Sequence, residues 1–150
     1  MNELLARIVD THGGMDCWNG YERVDATIVS GGGLFPLKGL IQDPNPRRMS
    51  VWLHEERSSV FPYGASDQRT VFTPQRIAIE KLDGTLVAER RAPKDSFAGH
   101  QMTTPWDALH RAYFNGYALL DLSRHRFFSR RMARRSRRPN PGRRDRSCGA

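Results

Sequence analysis

The segment RIAIEKLDGTLVAERR, residues 76–91, decides the fold class of this chain. Short apolar runs, Ile77–Ile79 and Leu86–Ala88, lie on either side of Asp83-Gly84, and such runs next to turn residues are typical of β-strands. An Asp-Gly pair between two such runs is among the strongest short-range signals of a hairpin. The segment therefore predicts two antiparallel strands joined by a tight turn.

The sequence on the N-terminal side of this hairpin contains further short strand candidates separated by turn residues. Val24, Ala26 and Ile28 alternate with polar residues, and three glycines at residues 31–33 indicate a turn or a bulge. Pro36 interrupts the next candidate strand, which suits an edge or a bend because proline donates no backbone hydrogen bond. The pattern predicts about six or seven short antiparallel strands. The candidate segments are residues 24–34, 34–43, 47–56, 58–64, 69–73 and 76–91.

Two helices are predicted to cover this sheet. Residues 4–14 carry apolar side chains at helical spacing and end in a Gly-Gly pair that can close the last turn. Residues 104–120 form the second helix, with Thr104 as N-cap, Pro105 at the first helical position and Asp107 as the acid of a capping box. The predicted fold class is α+β: a curved antiparallel sheet, an incomplete half-barrel, covered by an N-terminal and a C-terminal helix.

The net positive charge of the chain lies in its C-terminal part. Residues 122–150 contain eleven Arg and one Asp, whereas residues 1–121 contain 13 Lys and Arg against 15 Asp and Glu. The formal net charge of +8 therefore belongs to the tail, and the body lacks an electrostatic footprint for a polyanion. We predict one domain at residues 1–121 and a disordered or out-of-frame segment at residues 122–150. A nucleic-acid-binding Arg-rich arm is the alternative interpretation of that segment.

Two stretches of the body carry a family resemblance. ARIVDTHGGMDCWNGYERVDATI, residues 6–28, resembles the opening of bacterial proteins related to periplasmic lipoprotein carriers. RTVFTPQRIAIEKLDGTLVAERRAPKDSFAGHQMTTPWDALHRAYFNGYAL, residues 69–119, is similar to uncharacterised bacterial proteins of that fold. The resemblance covers roughly residues 4–120. It implies an incomplete antiparallel barrel whose concave apolar side holds acyl chains beneath helices.

The resemblance also bears on the tail. It implies further strands after the last helix, beginning with a segment such as Leu-Thr-Thr-Pro-Phe-Leu-Leu, and this sequence continues with LSRHRFFS instead. A suitable choice of codons for residues 122–129 encodes the expected segment when it is read from the third base. We therefore expect a frameshift near Leu120. The nucleotide sequence tests this hypothesis, because a single-base correction should open a longer reading frame.

The expected function is the binding of an apolar or lipid-like ligand by the half-barrel. The concave face of such a sheet is either filled by side chains or left open for a ligand. Its aromatic residues would form the walls of an open pocket. The candidate wall residues are Trp52, Phe61, Tyr63 and Phe72.

The sequence contains no pattern that indicates catalysis, a cofactor or a metal. None of the five histidines pairs at the i, i+4 spacing of a helical zinc site, and neither HExxH nor CxxC occurs. His110, three residues after Asp107, is expected to be a partly buried histidine rather than half of a catalytic dyad. Cys17 and Cys148 do not form a disulfide framework. We predict a non-enzymatic protein, and the alternative is an enzyme whose catalytic residues lie in a missing C-terminal half.

The sequence gives a few indications of the cellular location and the oligomeric state of the protein. The N-terminus lacks the apolar stretch of a signal peptide, and no segment approaches the roughly 20 apolar residues of a membrane span. We expect a cytoplasmic protein without a specific nucleic-acid partner, and the sequence leaves the oligomeric state open. A chain that ends as written is expected to be marginally stable and to aggregate through an exposed sheet edge.

Overall fold

The structure, a computed structural model, describes residues 19–41, 44–124 and 133–137. Within these ranges it contains seven strands, two α-helices and one 3₁₀ turn at Pro93–Phe97. The helices are α1 (Leu34–Leu37) and α2 (Ala108–Arg124). The strands are β1 (Tyr21–Ile28), β2 (Arg47–Trp52), β3 (Ser58–Phe61), β4 (Gln68–Thr73), β5 (Arg76–Lys81), β6 (Leu86–Arg91) and β7 (Ala133–Arg137).

Strands β1 to β6 form an open, curved antiparallel sheet in which each strand pairs with its neighbour in sequence. Helix α2 packs across one side of this sheet. The predicted α+β class is therefore confirmed. The predicted N-terminal helix at residues 4–14 lies outside the residues that the structure describes.

The hairpin predicted at Asp83-Gly84 is confirmed. Lys81 N–H donates to the Thr85 carbonyl over 2.8 Å. Gly84 has a φ of +91°, a backbone conformation that residues with a side chain rarely adopt. Asp83 accepts the Thr85 N–H over 2.8 Å, and these bonds lower the pKa of the Asp83 carboxyl. The turn fixes the register of β5 and β6, in which Ile79 lies opposite Ala88.

Strand alternation separates the two faces of the sheet. The face under α2, here called the helix-side face, carries a core that includes Met49, Val51, Val60, Phe72 and Ile77, each 2% exposed or less. The intervening residues point to the opposite side and are mostly polar, as expected from a period of two. Burial of this core between sheet and helix is the main stabilising contribution of the fold.

Residues 34–37 differ from the prediction of a strand at residues 34–43. They form α1, a single helical turn in which Lys38 N–H donates to the Leu34 carbonyl over 3.0 Å. The physical reason is Pro36, which cannot donate to a β-ladder but is compatible with the first turn of a helix. The turn places Phe35, 4% exposed, against α2.

Helix α2 begins later than predicted. Asp107, and not Thr104, precedes its first residue, and Asp107 Oδ1 accepts the His110 N–H over 2.8 Å in the manner of an N-cap. The preceding residues lie outside the helix, and Trp106 N–H donates to the Lys38 carbonyl over 2.9 Å instead of joining a helical turn. This bond ties the start of α2 to α1.

Strand β7 lies inside the segment that was predicted to be disordered or out of frame. Its backbone pairs antiparallel with β1, with Ala133 opposite Ala26, and it extends the sheet by one edge strand. An exposed edge offers unpaired backbone groups that an extended segment of almost any sequence can pair with. Strand β7 is therefore part of the described sheet, and the assignment of residues 122–150 to a disordered or out-of-frame segment stays a prediction.

Candidate functional site

The four residues predicted to line one pocket lie on opposite faces of the sheet. Phe72 pairs with Ser58, which pairs with Val51, so Phe72 lies on the helix-side face. Phe61 and Trp52 occupy the alternate positions of their strands and point to the other face. Tyr63 belongs to the buried core with Phe72. The structure does not bring the four aromatic residues together.

Tyr63 and Phe72 fill the space between the sheet and α2. Phe72 is fully buried, and its ring centroid lies 5.3 Å from that of Tyr113 on the helix. The Tyr63 hydroxyl donates to the Ala108 carbonyl at the start of α2 over 2.7 Å. Burial raises the pKa of Tyr63 to about 12, although Arg111 and Arg47 act in the opposite direction. The Phe72 ring is therefore part of the core, and the Tyr63 hydroxyl fixes the start of α2 to the sheet.

Trp52 and Phe61 are each covered by arginine side chains. The guanidinium carbons of Arg57 and Arg23 lie 4.2 Å and 5.6 Å from the Trp52 ring centroid, and that of Arg48 lies 5.8 Å from Phe61. Such contacts are cation–π interactions. They convert what was predicted as an apolar wall into a mixed aromatic and cationic surface.

The rest of this face is an array of ion pairs. Arg76 donates to Glu89 over 2.8 Å and to Glu80 over 3.2 Å, and Arg69 lies 3.8 Å from Glu80. The bond from Arg76 lowers the pKa of Glu89. At the other end, Asp25 accepts two bonds from Arg23. Each acid offsets a neighbouring arginine, so these arginines do not make this surface a strong polyanion site.

An aromatic and aliphatic surface that the sequence reasoning missed lies where α1 meets α2. The Phe114 ring centroid is 5.3 Å from that of Trp106 and 6.4 Å from that of Phe35. Phe114 is 39% exposed, Tyr117 one turn later is 63% exposed, and Ile41 is 89% exposed. We call this surface the α1–α2 patch. It consists of Phe35, Ile41, Trp106, Phe114 and Tyr117.

Two buried cations lie within this patch. Lys38 is 5% exposed, and its ammonium nitrogen lies 5.1 Å from the Trp106 ring centroid and donates to the Gln101 carbonyl over 2.7 Å. Arg111 is 8% exposed, and its guanidinium carbon lies 4.6 Å from the Phe35 ring centroid. Long cationic side chains are rarely buried to this degree without an anionic partner.

A second cluster surrounds the two histidines beside α2. The ring centroids of His100 and His110 are 5.1 Å apart, and the Phe97 ring lies within 5.5 Å of both. Burial lowers the pKa of His100, and the neighbouring charges of His110 and Lys38 lower it further. His100 Nδ1 is buried and has no hydrogen-bond partner among the residues that the structure describes.

The contacts of His110 with Asp107 are those of a helix cap. His110 Nδ1 lies 3.2 Å from the Asp107 N and 2.9 Å from Asp107 Oδ1. A neutral ring accepts the backbone N–H, and a protonated ring forms an ion pair with the carboxylate. Partial burial acts to raise the pKa of Asp107, but bonds from Arg90 and His110 outweigh it and hold that pKa below its usual value. The structural role that was expected for His110 accounts for this geometry.

The α1–α2 patch could have been recognised in the sequence only from the residue pattern of α2. Helix α2 carries Ala112 and Leu119 on the side that enters the core, and Phe114 falls on the other side of the helical wheel. Aromatic residues on both sides of a covering helix indicate a second contact surface. The positions of Phe35 and Trp106 could not be read in this way, because both lie in irregular segments next to the helix.

Comparisons with known proteins identify no relative of this chain. The chain matches no protein-family model, no curated protein and no solved structure. In the described part of the chain, no helix combines the length and the apolar character needed to cross a bilayer. Nor do residues 19–41, 44–124 and 133–137 contain three His, Cys, Asp or Glu side chains arranged to hold a metal ion. Cys17 and Cys148 lie outside these ranges.

Proposed function

We propose that this chain binds an apolar, lipid-like small molecule on the α1–α2 patch. The observation that carries the proposal is the exposure of Phe114 and Tyr117 on α2, whose opposite side already packs into the core. A helix that only covers a sheet is polar on its outer side, because exposed aromatic surface gains nothing from water. Exposed apolar patches on soluble proteins commonly mark binding sites.

The resemblance to lipoprotein carriers supports the same class of ligand. In that family the apolar ligand lies between the sheet and the helices, whereas here Phe72 and Met49 fill that space. We therefore place the binding surface on the outer side of α2, next to α1. Transfer of an alkyl chain from water to such a surface is favourable by about 25 cal/mol per Å² of apolar area buried.

Binding of a neutral probe tests the proposal. The fluorescence of Nile red should rise saturably with protein concentration, and dodecanol should displace the dye. Phe114→Ser should weaken both effects severalfold because it removes a ring at the centre of the patch. Phe61→Ser is the matched control, since Phe61 is a partly exposed ring on the opposite face of the sheet. Equal binding by the two variants, or no saturable binding by the unmodified chain, would contradict the proposal.

A further inference from the structure

Arg111 presents two buried donors that no acceptor among the described residues satisfies. Its Nη1 donates to the Ile41 carbonyl over 3.0 Å, but its Nε and Nη2 are buried and have no hydrogen-bond partner in the described part of the chain. Such donors are rare in folded proteins because the lost hydration is not replaced. A polar side chain that is more than nine-tenths buried and unpaired on one side points to a missing acceptor.

The two unpaired atoms are neighbours on one edge of the guanidinium group. The N–H bonds of Nε and Nη2 run parallel, and this pair of donors matches the two oxygens of a carboxylate. The third nitrogen, Nη1, is the one already used by the backbone of Ile41. The fold thus anchors Arg111 at one nitrogen and leaves the bidentate edge unused.

The described contacts of Arg111 and Lys38 are with aromatic rings and backbone carbonyls. Among the side chains of residues 19–41 and 44–120, Arg111 and Lys38 form no ion pair with an acidic residue. The Phe35 ring lies next to the Arg111 guanidinium carbon and offers no oxygen acceptor. Lys38 contributes a second buried positive charge to the same patch through its contact with Trp106. An anion is therefore the complementary occupant.

We propose that the ligand of the α1–α2 patch is a single-chain carboxylate, such as a fatty acid, whose headgroup accepts two hydrogen bonds from Arg111 Nε and Nη2. This inference rests on the proposed function, because the exposed rings of Phe114 and Tyr117 provide the surface for the alkyl chain. Arg111 lies three residues before Phe114 on α2, so headgroup and chain meet adjacent positions of one helix. Access to the buried edge requires neighbouring side chains to move.

A pair of ligands with the same chain tests this proposal. Dodecanoate and dodecanol should each displace Nile red from the unmodified protein, and dodecanoate should bind roughly ten- to a hundredfold more tightly, as expected for hydrogen bonds to a charged group. Arg111→Gln should abolish this preference, so that dodecanoate and dodecanol displace the dye with similar affinity. Arg91→Gln removes the same charge from an exposed position on β6 and should retain the preference.

The outcomes separate the two proposals. Equal affinity of the unmodified chain for dodecanoate and dodecanol overturns the carboxylate proposal and leaves the proposed function standing. Absence of binding by both ligands overturns the proposed function and the carboxylate proposal with it. A loss of preference in Arg91→Gln as large as in Arg111→Gln shows that only overall charge matters and also overturns the inference.

A measurement on the unmodified protein removes the dependence on a folded variant. The Nε–H resonance of Arg111 in a ¹H–¹⁵N spectrum should shift downfield when dodecanoate is added, because the donor gains a charged acceptor. Dodecanol at the same occupancy should leave this resonance in place. Saturable dodecanoate binding without a shift at Arg111 Nε would overturn the inference.

Discussion

Gly116 on α2 lies directly over the side chain of Phe72 on β4. A Cβ atom added at Gly116 would come within 2.5 Å of Phe72 Cγ and 2.8 Å of its Cβ. The helix can approach the sheet this closely only because residue 116 has no side chain. The short distance between α2 and the sheet also allows the Ser58 hydroxyl to donate to the Gly116 carbonyl over 3.3 Å.

Gly116→Ala should therefore destabilise the protein. Alanine has the higher helix propensity by about 1 kcal/mol, but the contact with a fully buried ring requires α2 or Phe72 to move. Overpacking of this kind costs about 1–3 kcal/mol, so we expect a net loss of stability in chemical denaturation. Gly33→Ala is the matched control, because a Cβ at Gly33 meets no atom within 4 Å and its φ is −65°. Equal stability of the two variants would show that α2 does not pack as described.

Alkaline pH should destabilise the fold through Tyr63. Its pKa is about 12 in the folded protein against 10.0 for an ordinary exposed tyrosine, so the unfolded chain releases the phenolic proton first. The stabilising effect is fully present below pH 10 and is lost as pH rises through 12. The loss amounts to about 2–3 kcal/mol. Denaturation at several pH values should show a steeper alkaline decline for the unmodified chain than for Tyr63→Phe.

The same variant has a second measurable effect at neutral pH. Tyr63→Phe removes the hydroxyl that donates to the Ala108 carbonyl, and the lost hydrogen bond should lower stability by about 1 kcal/mol. If the alkaline slope of Tyr63→Phe equals that of the unmodified chain, other tyrosines carry the effect and the burial of Tyr63 is overstated.

How much of this fold could be predicted depended on how local the signal was. The hairpin at Asp83-Gly84 was predictable because the turn residues and the apolar runs on both sides of them lie within a few residues of one another. The start of α2 was not, since the backbone N–H of Trp106 donates to the carbonyl of Lys38, 68 residues earlier in the chain. A contact between distant segments overrides the capping preference of Thr104 and Pro105.

The candidate site was less predictable than the fold for the same reason. Strand alternation already separates Phe61 from Val60, but the choice of face depends on register across three strands. The burial of Arg111 and its unpaired donors could not be predicted from the sequence, because an arginine in a helix is usually exposed to solvent. Only the position of Phe35 against α2 shows that this arginine is buried.

His100 should remain neutral to a lower pH than an ordinary histidine. Burial and the nearby charges of His110 and Lys38 lower the pKa of His100 below 6.5. The unfolded chain therefore takes up a proton before the folded protein does, and this group destabilises the fold as pH falls below 6.5. Imidazole resonances followed by NMR should place the His100 midpoint below that value. A midpoint at or above 6.5 would contradict the described packing of the two histidines.

The outer edge of the sheet at β6 should govern self-association. Leu86 and Val87 on this edge strand are 48% and 46% exposed, and the described residues place no strand beyond it. Unpaired edges with apolar side chains promote association between copies. Val87→Lys should raise the concentration at which aggregates appear in light scattering, and Lys94→Val should not. No difference between the variants would mean that association uses another surface.

Removal of residues 133–150 tests whether β7 belongs to the folding unit. The described core is built from residues 26–120, and β7 contributes backbone pairing to β1 at the sheet edge. We therefore expect the shortened chain to unfold cooperatively within about 3 °C of the full chain, since the core burial that sets the transition is retained. It should aggregate more readily, because β1 becomes an uncovered edge. A loss of cooperative unfolding would show that the arginine-rich segment is an integral part of this fold, and would contradict both the boundary at residue 121 and the frameshift hypothesis.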